Sequence, residues 1–167
     1  MHSVSILVLI VAVVAAVACA PQSARRNLDN RMASRSLGEF AMMIYATTGR
    51  CWSHYAGYGK YCGPMGSGRP VDATDTCCRD HDVCYDNIAM LCPGAAAYLR
   101  RYQWTISNMT PSCVADQEPC GYVLCECDRV MAECLKRSPY NMNYAPSGVP
   151  VGPPVANPDP NNFLCFM

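Results

Sequence analysis

The sequence predicts a mainly α, disulfide-rich fold, with two long antiparallel helices stapled by disulfides and a short amino-terminal helix before them. Three observations lead to this prediction. The chain of 167 residues carries 13 cysteines. Two segments with apolar residues at helical spacing each contain two cysteines seven positions apart, and a third, shorter segment near residue 40 shows the same apolar spacing.

The first segment, 1–20, is typical of a secretory signal peptide. Its mostly apolar run ends in small residues just before Pro21. A transmembrane helix is the weaker alternative, because the apolar core is short for a bilayer and a polar stretch follows it. The product is therefore expected to be secreted into an oxidising, extracellular environment, where disulfides persist.

The next segment, 21–35, has the composition of a propeptide with basic processing sites. It lacks apolar periodicity and carries four arginines: Arg25, Arg26, Arg31 and Arg35. Without residues 1–35 the chain has nine Lys and Arg residues against twelve Asp and Glu. This balance makes neither nucleic acid nor a strongly anionic membrane an expected partner.

The cysteine count favours a disulfide framework. Once Cys19 leaves with the signal peptide, 12 cysteines remain, which is an even number. Metal binding by these cysteines is the alternative, but the signal peptide argues against it and the sequence contains no paired Cys-x-x-Cys knuckles.

The short first helix is predicted from about Ser36 to Thr48, with Gly49 as its stop. Its apolar residues recur at helical spacing: Leu37, Phe40, Ala41 and Ile44. The segment from Cys51 to Asp72 is rich in Gly and Pro, so we predict a loop there.

The second helix is predicted from Thr74 to about Leu91, with Thr74 or Asp75 as its cap and Pro93-Gly94 as its stop. The stretch Tyr98–Thr105 alternates aromatic and β-branched residues. It fits either a small β-hairpin or a further helical turn.

The third helix is predicted from about Pro119 to Arg137. Apolar residues and cysteines form one stripe along it: Leu124, Cys127, Met131, Cys134 and Leu135. Lys136 and Arg137 suit the carboxyl end of a helix, and Pro139 prevents its extension.

Both long helices carry cysteines two turns apart: Cys77 and Cys84 on the second, Cys127 and Cys134 on the third. Antiparallel pairing of Cys77 with Cys134 and of Cys84 with Cys127 keeps a single register. In that register Asp128 lies about 3 Å along the axis from the position opposite His81.

His81 and Asp82 are the candidate reactive residues. Neighbours on a helix point about 100° apart, so His81 can face a reacting atom while Asp82 turns toward an adjacent cation. The glycine-rich segment Tyr58–Pro70 can turn successive carbonyls toward such a cation. A buried structural role is the usual alternative for a lone His, but this combination suits metal-assisted hydrolysis.

The run from Tyr58 to Tyr85 resembles the calcium loop and active-site helix of secreted phospholipases A2. The resemblance continues through 120–140 and covers most of residues 36–140. It implies a mature start at Ser36. The implied organisation is a signal peptide at 1–20, a propeptide at 21–35, a phospholipase A2 domain at 36–144 and a Pro- and Asn-rich extension at 145–167.

The resemblance also implies the catalytic residues. His81 is the general base, Asp128 orients it, and Tyr85 and Tyr102 hydrogen-bond to Asp128. The amide N–H of Gly63 helps to stabilise the oxyanion. There is no Gly-x-Ser-x-Gly elbow in the sequence, so a covalent acyl-enzyme is not expected.

Calcium is the cofactor that the resemblance implies. Its ligands are both carboxylate oxygens of Asp82 and the main-chain carbonyls of Tyr61, Gly63 and Met65. Met65 departs from the glycine that is common in the family at this position, and its Cβ narrows the backbone conformations open to the loop.

The remaining disulfides are implied by the resemblance as Cys62–Cys78, Cys92–Cys120 and Cys113–Cys125. They leave Cys51 and Cys165 as a pair. Residues 145–162 are then expected to form a loose loop that is tied down at its end.

The implied function is a secreted, calcium-dependent phospholipase A2. It hydrolyses the sn-2 acyl ester of glycerophospholipids to a free fatty acid and a lysophospholipid, at a membrane or micelle surface that the stripe of Leu37, Phe40 and Ile44 meets. The rival is a non-catalytic phospholipase-like binding protein or toxin-type receptor ligand. The presence of His81, Asp82 and Asp128 together favours the enzyme.

Overall fold

The computed structural model describes residues 37–93, 100–159 and 165, all within the unit Arg35–Met167. Its elements are helix α1 over 37–48, helix α2 (Ala73–Ile88), strands β1 (Trp104–Ser107) and β2 (Thr110–Cys113), and helix α3 (Pro119–Arg137). Short 3-10 turns occupy Trp52–His54 and Met142–Tyr144. The prediction of a mainly α fold is confirmed, while the predicted signal peptide and propeptide lie outside the described residues.

The start of α2 differs from the prediction of Thr74 or Asp75 as the cap. The cap is Asp72, whose Oδ1 accepts the backbone N–H of Asp75 at 2.9 Å. Thr74 is occupied elsewhere, since its hydroxyl donates to the Pro139 carbonyl at 3.0 Å. The helix ends at Ile88, three residues before the predicted end.

Helix α3 has the bounds that the sequence predicted. Pro119 occupies its first turn, and Glu118 caps it by accepting the Gly121 N–H at 3.0 Å. Lys136 and Arg137 lie in the last turn, where positive charge interacts favourably with the helix dipole.

The disulfides confirm the predicted antiparallel register of the two long helices. Cys77–Cys134 and Cys84–Cys127 both link α2 to α3, and each has a Cα–Cα separation of 5.8 Å. The other four predicted pairs are also present: Cys51–Cys165, Cys62–Cys78, Cys92–Cys120 and Cys113–Cys125.

The possible β-hairpin is confirmed; it begins at Trp104, within the stretch Tyr98–Thr105, and extends beyond that stretch to Cys113. Strands β1 and β2 pair antiparallel, and Ser107 faces Thr110 next to the turn. Asn108 and Met109 form that turn with φ values of 49° and 58°, the left-handed pair that a two-residue hairpin requires. Because a Met follows Asn108 where Gly is usual, the sequence gives only a weak turn signal. The helical alternative is wrong for Trp104 and Thr105.

Helix α1 packs firmly against the α2–α3 pair. Met43 and Leu124 belong to one apolar cluster, and Ile44 and Met131 belong to a second. Ile44 is 3% exposed, so it belongs to the core rather than to a lipid-facing surface. Of the predicted stripe, Leu37 is the residue left largely exposed. Within the described ranges, no helix has the length and apolar character needed to span a membrane.

The carboxyl-terminal extension is not loose over its described part, 145–159. The Val155 N–H donates to the Gly49 carbonyl at 2.9 Å, and Arg50 donates to the Gly152 carbonyl at 2.6 Å. Gly49 permits this approach because it has a φ of 71° and lacks a Cβ, which would lie 2.2 Å from the Val155 carbonyl oxygen. The expectation of a loop held only at its end is therefore wrong.

Candidate active site

A cavity of about 530 Å³ lies between α1, the loop after it, the middle of α2 and Met131 of α3. This volume is typical of a site for a small molecule. Most of its lining is apolar, and it includes one histidine, His81, and one carboxylate, Asp82. The lining comprises Leu37, Phe40, Ala41, Ile44, Trp52, Tyr55, Ala56, Tyr61, Cys62, Gly63, Pro64, Cys78, His81, Asp82 and Met131.

His81 and Asp128 meet between the two stapled helices. His81 Nε2 lies 2.7 Å from Asp128 Oδ1, and the Asp128 side chain is 1% exposed. An ionised carboxylate accepts from a ring N–H, so this contact favours the tautomer with the proton on Nε2. The lone pair of the neutral imidazole then lies on Nδ1, the ring nitrogen that can act on a reactant.

Two tyrosines complete the hydrogen bonding of Asp128. Tyr85 donates to Oδ1 at 2.9 Å, and Tyr102 donates to Oδ2 at 2.5 Å. Burial raises the pKa of Tyr102 well above its ordinary value, and the charge of Asp128 raises it further. Tyr102 therefore remains a protonated donor, and the structure brings His81 together with the three residues expected beside it, Asp128, Tyr85 and Tyr102.

Phe40 forms a wall of the site that sequence reasoning did not assign. Its ring stacks on the His81 imidazole with centroids 4.8 Å apart and planes at 8°. The Tyr85 ring approaches the imidazole at 4.6 Å with a tilt of 48°. The helical spacing of Phe40 placed it on the apolar stripe of α1 that was expected to meet a lipid surface, and nothing in the sequence indicated a contact with His81.

Asp82 lies on the cavity wall next to the glycine-rich loop. Burial raises the pKa of its carboxyl group, while His81 lowers it and Asp86 raises it. Tyr61 and Gly63 line the same cavity, whereas Met65 is absent from its lining and has a side chain that is 94% exposed. Met65 has a φ of 62°, so this residue adopts the left-handed conformation that a glycine adopts without strain.

Two of the loop residues expected at the calcium and oxyanion sites, Tyr61 and Gly63, are hydrogen-bonded to each other. The Gly63 N–H donates to the Tyr61 carbonyl at 2.8 Å. In this conformation the amide proton points at a neighbouring peptide rather than at a reactant. Oxyanion stabilisation by Gly63 therefore requires this N–H to be shared or redirected.

The oxygen atoms around this loop suit a hard cation. The described ranges contain no cluster of three His, Cys, Asp or Glu side chains arranged for a metal. A cation at the loop would instead take the Asp82 carboxylate together with main-chain carbonyls, an all-oxygen set. Such a set fits Ca²⁺ and does not fit a metal that prefers nitrogen or sulfur.

Asp75 holds the loop in place, a role that sequence reasoning missed. Its side chain is fully buried and accepts three backbone N–H groups, from Lys60 at 2.9 Å, Tyr61 at 2.7 Å and Val71 at 2.9 Å. Gly59 has a φ of 62°, and a Cβ on it would lie 2.5 Å from Asp75 Cγ. An acidic residue in the first turn of a helix usually indicates a helix cap. The position of Asp75 in the sequence therefore did not indicate that it binds the loop backbone.

Comparisons with known proteins match most of the described chain to one family. The family model described as Phospholipase A2 matches residues 37–145. Basic phospholipase A2 2 of Bungarus caeruleus is 40% identical over 108 residues, which cover 65% of this chain and 78% of the relative. Acidic phospholipase A2 PL-I of Walterinnesia aegyptia is 42% identical over 109 residues, with 64% and 79% covered. Acidic phospholipase A2 3 of Naja sagittifera is 41% identical over 118 residues, with 70% and 93% covered.

Proposed function

The chain belongs to the phospholipase A2 family, and we propose that it is a secreted, calcium-dependent enzyme that hydrolyses the sn-2 ester of glycerophospholipids. The products are a free fatty acid and a lysophospholipid. The observation that carries the proposal is the 2.7 Å contact between His81 Nε2 and the buried Asp128, with His81 and Asp82 on the wall of one apolar cavity.

His81 acts as the general base in this proposal. Its Nδ1 takes a proton from a water molecule as the water oxygen attacks the ester carbonyl. Asp128 accepts from Nε2–H and stabilises the imidazolium that results. The same proton is then donated to the departing alkoxide of the lysophospholipid, which restores the neutral imidazole.

The protein groups beside His81 act on the carbonyl oxygen. Asp82 and the carbonyls of Tyr61, Gly63 and Met65 are the proposed ligands of Ca²⁺. When bound, the ion supplies positive charge that stabilises the oxyanion. The Gly63 N–H adds a hydrogen bond once it turns from the Tyr61 carbonyl.

The apolar lining of the cavity suits the fatty acyl chain. Leu37, Phe40 and Ile44 contribute one side of α1 to it. Removing this surface from water on substrate binding favours association, by about 25 cal/mol for each Å² of apolar area. The same lining limits access of water to the face of His81 that Phe40 covers.

The proposed site of action is extracellular. The predicted signal peptide and the six disulfides support it, since such bonds persist in oxidising compartments. The described surface carries Leu37, largely exposed, next to the cavity. We therefore propose a phospholipid membrane or micelle surface as the partner that delivers the substrate.

The test is release of fatty acid from vesicles of mixed phospholipids, with calcium and with excess chelator. We expect release that requires calcium and is abolished by His81→Gln, since this change removes the base and leaves the loop intact. Calcium-independent release, or turnover by His81→Gln, would contradict the mechanism. No release by the folded, calcium-loaded parent would favour the non-catalytic binding protein.

A further inference from the structure

The described part of the carboxyl-terminal extension continues beyond the family match, which ends at residue 145. It nevertheless makes specific contacts near the cavity. We call residues 144–155 the brace; it begins with Tyr144, at the end of the match, and continues into the extension. The segment 49–59 follows α1, and it both contacts the brace and lines the cavity.

The brace contacts the segment 49–59 at both ends. At the first end, the Val155 N–H donates to the Gly49 carbonyl at 2.9 Å, and the Arg50 guanidinium donates to the Gly152 carbonyl at 2.6 Å. At the second end, the Gly59 N–H donates to the Tyr144 carbonyl at 3.0 Å. Each contact joins residues far apart in sequence, so the brace fixes both ends of a short loop.

Arg50 connects the brace to the protein core. Its guanidinium lies 4.7 Å from the centroid of the Tyr140 ring while it donates to Gly152. Tyr140 in turn makes an edge contact with Tyr55, with centroids 5.5 Å apart. A disulfide from Cys51 to Cys165 adds a covalent attachment at the same end of the loop.

The middle of this loop forms part of the cavity wall, since Trp52, Tyr55 and Ala56 line the cavity between the two points that the brace contacts. The Tyr140 hydroxyl donates to the His54 carbonyl within this stretch, and the Gly57 N–H donates to the Cys62 carbonyl. The brace adds restraints at both ends of the wall, and such restraints reduce the number of positions that a loop samples.

We propose that the brace is a positioning element that holds the wall of Trp52, Tyr55 and Ala56, and so sets how well the cavity binds a long apolar chain. The proposal rests on the proposed function for its substrate, an acyl lipid. It predicts that loss of the brace weakens binding of long chains and leaves the chemistry at His81 unchanged.

The first experiment measures the wall directly. The chain contains two tryptophans, so Trp104→Phe leaves Trp52 as the single fluorescent reporter of the wall. In that background Arg50→Ala with Val155→Pro removes two contacts of the brace and keeps every disulfide. We expect a Stern–Volmer constant for acrylamide about twice that of the Trp104→Phe parent, since a freed loop exposes the indole.

The matched control is Val151→Pro. Val151 lies in the brace, and the described residues show no hydrogen bond from its N–H. The Val151→Pro variant should therefore show the same acrylamide quenching of Trp52 as the Trp104→Phe parent. Equal quenching of the parent and the double variant, or the same increase with Val151→Pro, would overturn the proposal.

The second experiment compares KM and kcat for monomeric dihexanoyl and dioctanoyl phosphatidylcholine. The double variant should raise KM for the longer substrate about fourfold, which corresponds to losing the burial of about one methylene group. The KM for the shorter substrate and both kcat values should stay within about twofold. An equal rise for both substrates, or a fall in kcat alone, would contradict a role in chain binding.

The two experiments distinguish failure of the proposed function from failure of the brace proposal. If the parent hydrolyses neither substrate, the function is wrong, while the fluorescence result still decides whether the brace holds the wall. If the double variant does not fold, as judged by far-ultraviolet circular dichroism, Arg50→Ala alone provides the same test through a surface side chain.

Discussion

The aromatic ring of Phe40 lies parallel to the imidazole of His81, 4.8 Å away and with only 8° between their planes. One face of the proposed base is therefore covered by a residue of α1, while its edge is held by Asp128. The amino-terminal helix thus contributes both to the cavity and to the orientation of His81.

Phe40→Ala should lower kcat about 3–10-fold, since an aromatic contact of this kind contributes about 0.5–1.5 kcal/mol beyond its buried area. Phe40→Leu keeps most of the side-chain volume, so its kcat should lie between that of the parent and that of Phe40→Ala. The measurement is kcat on a monomeric short-chain phospholipid, which removes any effect of surface binding. A leucine variant as slow as the alanine variant would show that stacking, and not volume, determines the effect. An unchanged kcat in both would contradict a role for the stack.

Tyr102→Phe should be more harmful than Tyr85→Phe. After Tyr85→Phe, Asp128 Oδ1 still accepts from His81, whereas Tyr102→Phe removes the donor that Oδ2 has in the described structure. We expect each change to lower kcat, by about twofold for Tyr85 and about tenfold for Tyr102, since an unmade bond to a buried charge costs about 1.5–3 kcal/mol. Steady-state kinetics and thermal unfolding of both variants give the comparison. A larger loss of kcat for Tyr85→Phe than for Tyr102→Phe would mean that the hydrogen bond to Asp128 Oδ1 contributes more to catalysis than the one to Oδ2.

Asp82→Lys should remove both calcium binding and turnover, because it places a positive charge where the ion is proposed to bind. Asp86→Lys is the matched control, since Asp86 lies one turn further along α2 and is exposed. Isothermal titration with calcium should show binding for the parent and for Asp86→Lys. Calcium-stimulated turnover by Asp82→Lys would show that the ion is bound elsewhere.

Asp75→Ala should strongly destabilise the fold and remove the hydrogen bonds that hold the glycine-rich loop to α2. It leaves three part-buried backbone N–H groups without their acceptor, and we expect a loss of about 3–5 kcal/mol in the free energy of unfolding. Urea denaturation measures it, and Asp116→Ala provides a control at an exposed aspartate. Gly59→Ala should act in the same direction, because its Cβ would meet the Asp75 carboxylate. A loss below about 1 kcal/mol for Asp75→Ala would mean that water replaces the carboxylate.

The sequence was sufficient to predict the helices and their register. Cysteines seven apart on two periodic segments allow a single antiparallel alignment, and it places Asp128 beside His81. The first turn of α2 was less predictable. Asp72, Thr74 and Asp75 all have cap-forming side chains, and the tertiary partners at Pro139 and in the loop decided which one caps.

Contacts between distant segments were beyond prediction from one sequence. The stack of Phe40 on His81 depends on how α1 lies across α2, and apolar spacing gives the face of a helix but not its crossing position. The brace depends on the backbone of a proline-rich segment, whose hydrogen bonds leave no pattern of side chains. The extent of the hairpin was not predicted, because its left-handed turn uses Asn108 and Met109 without glycine.

The two disulfides between α2 and α3 lie on either side of His81 along the helix, at Cys77 and Cys84. The residues of the proposed dyad therefore belong to segments that are cross-linked only after oxidation. A newly made chain in a reducing environment lacks these cross-links, and its helices must find their register without covalent help. We therefore expect the alignment of His81 with Asp128 to depend on oxidation as well as on synthesis.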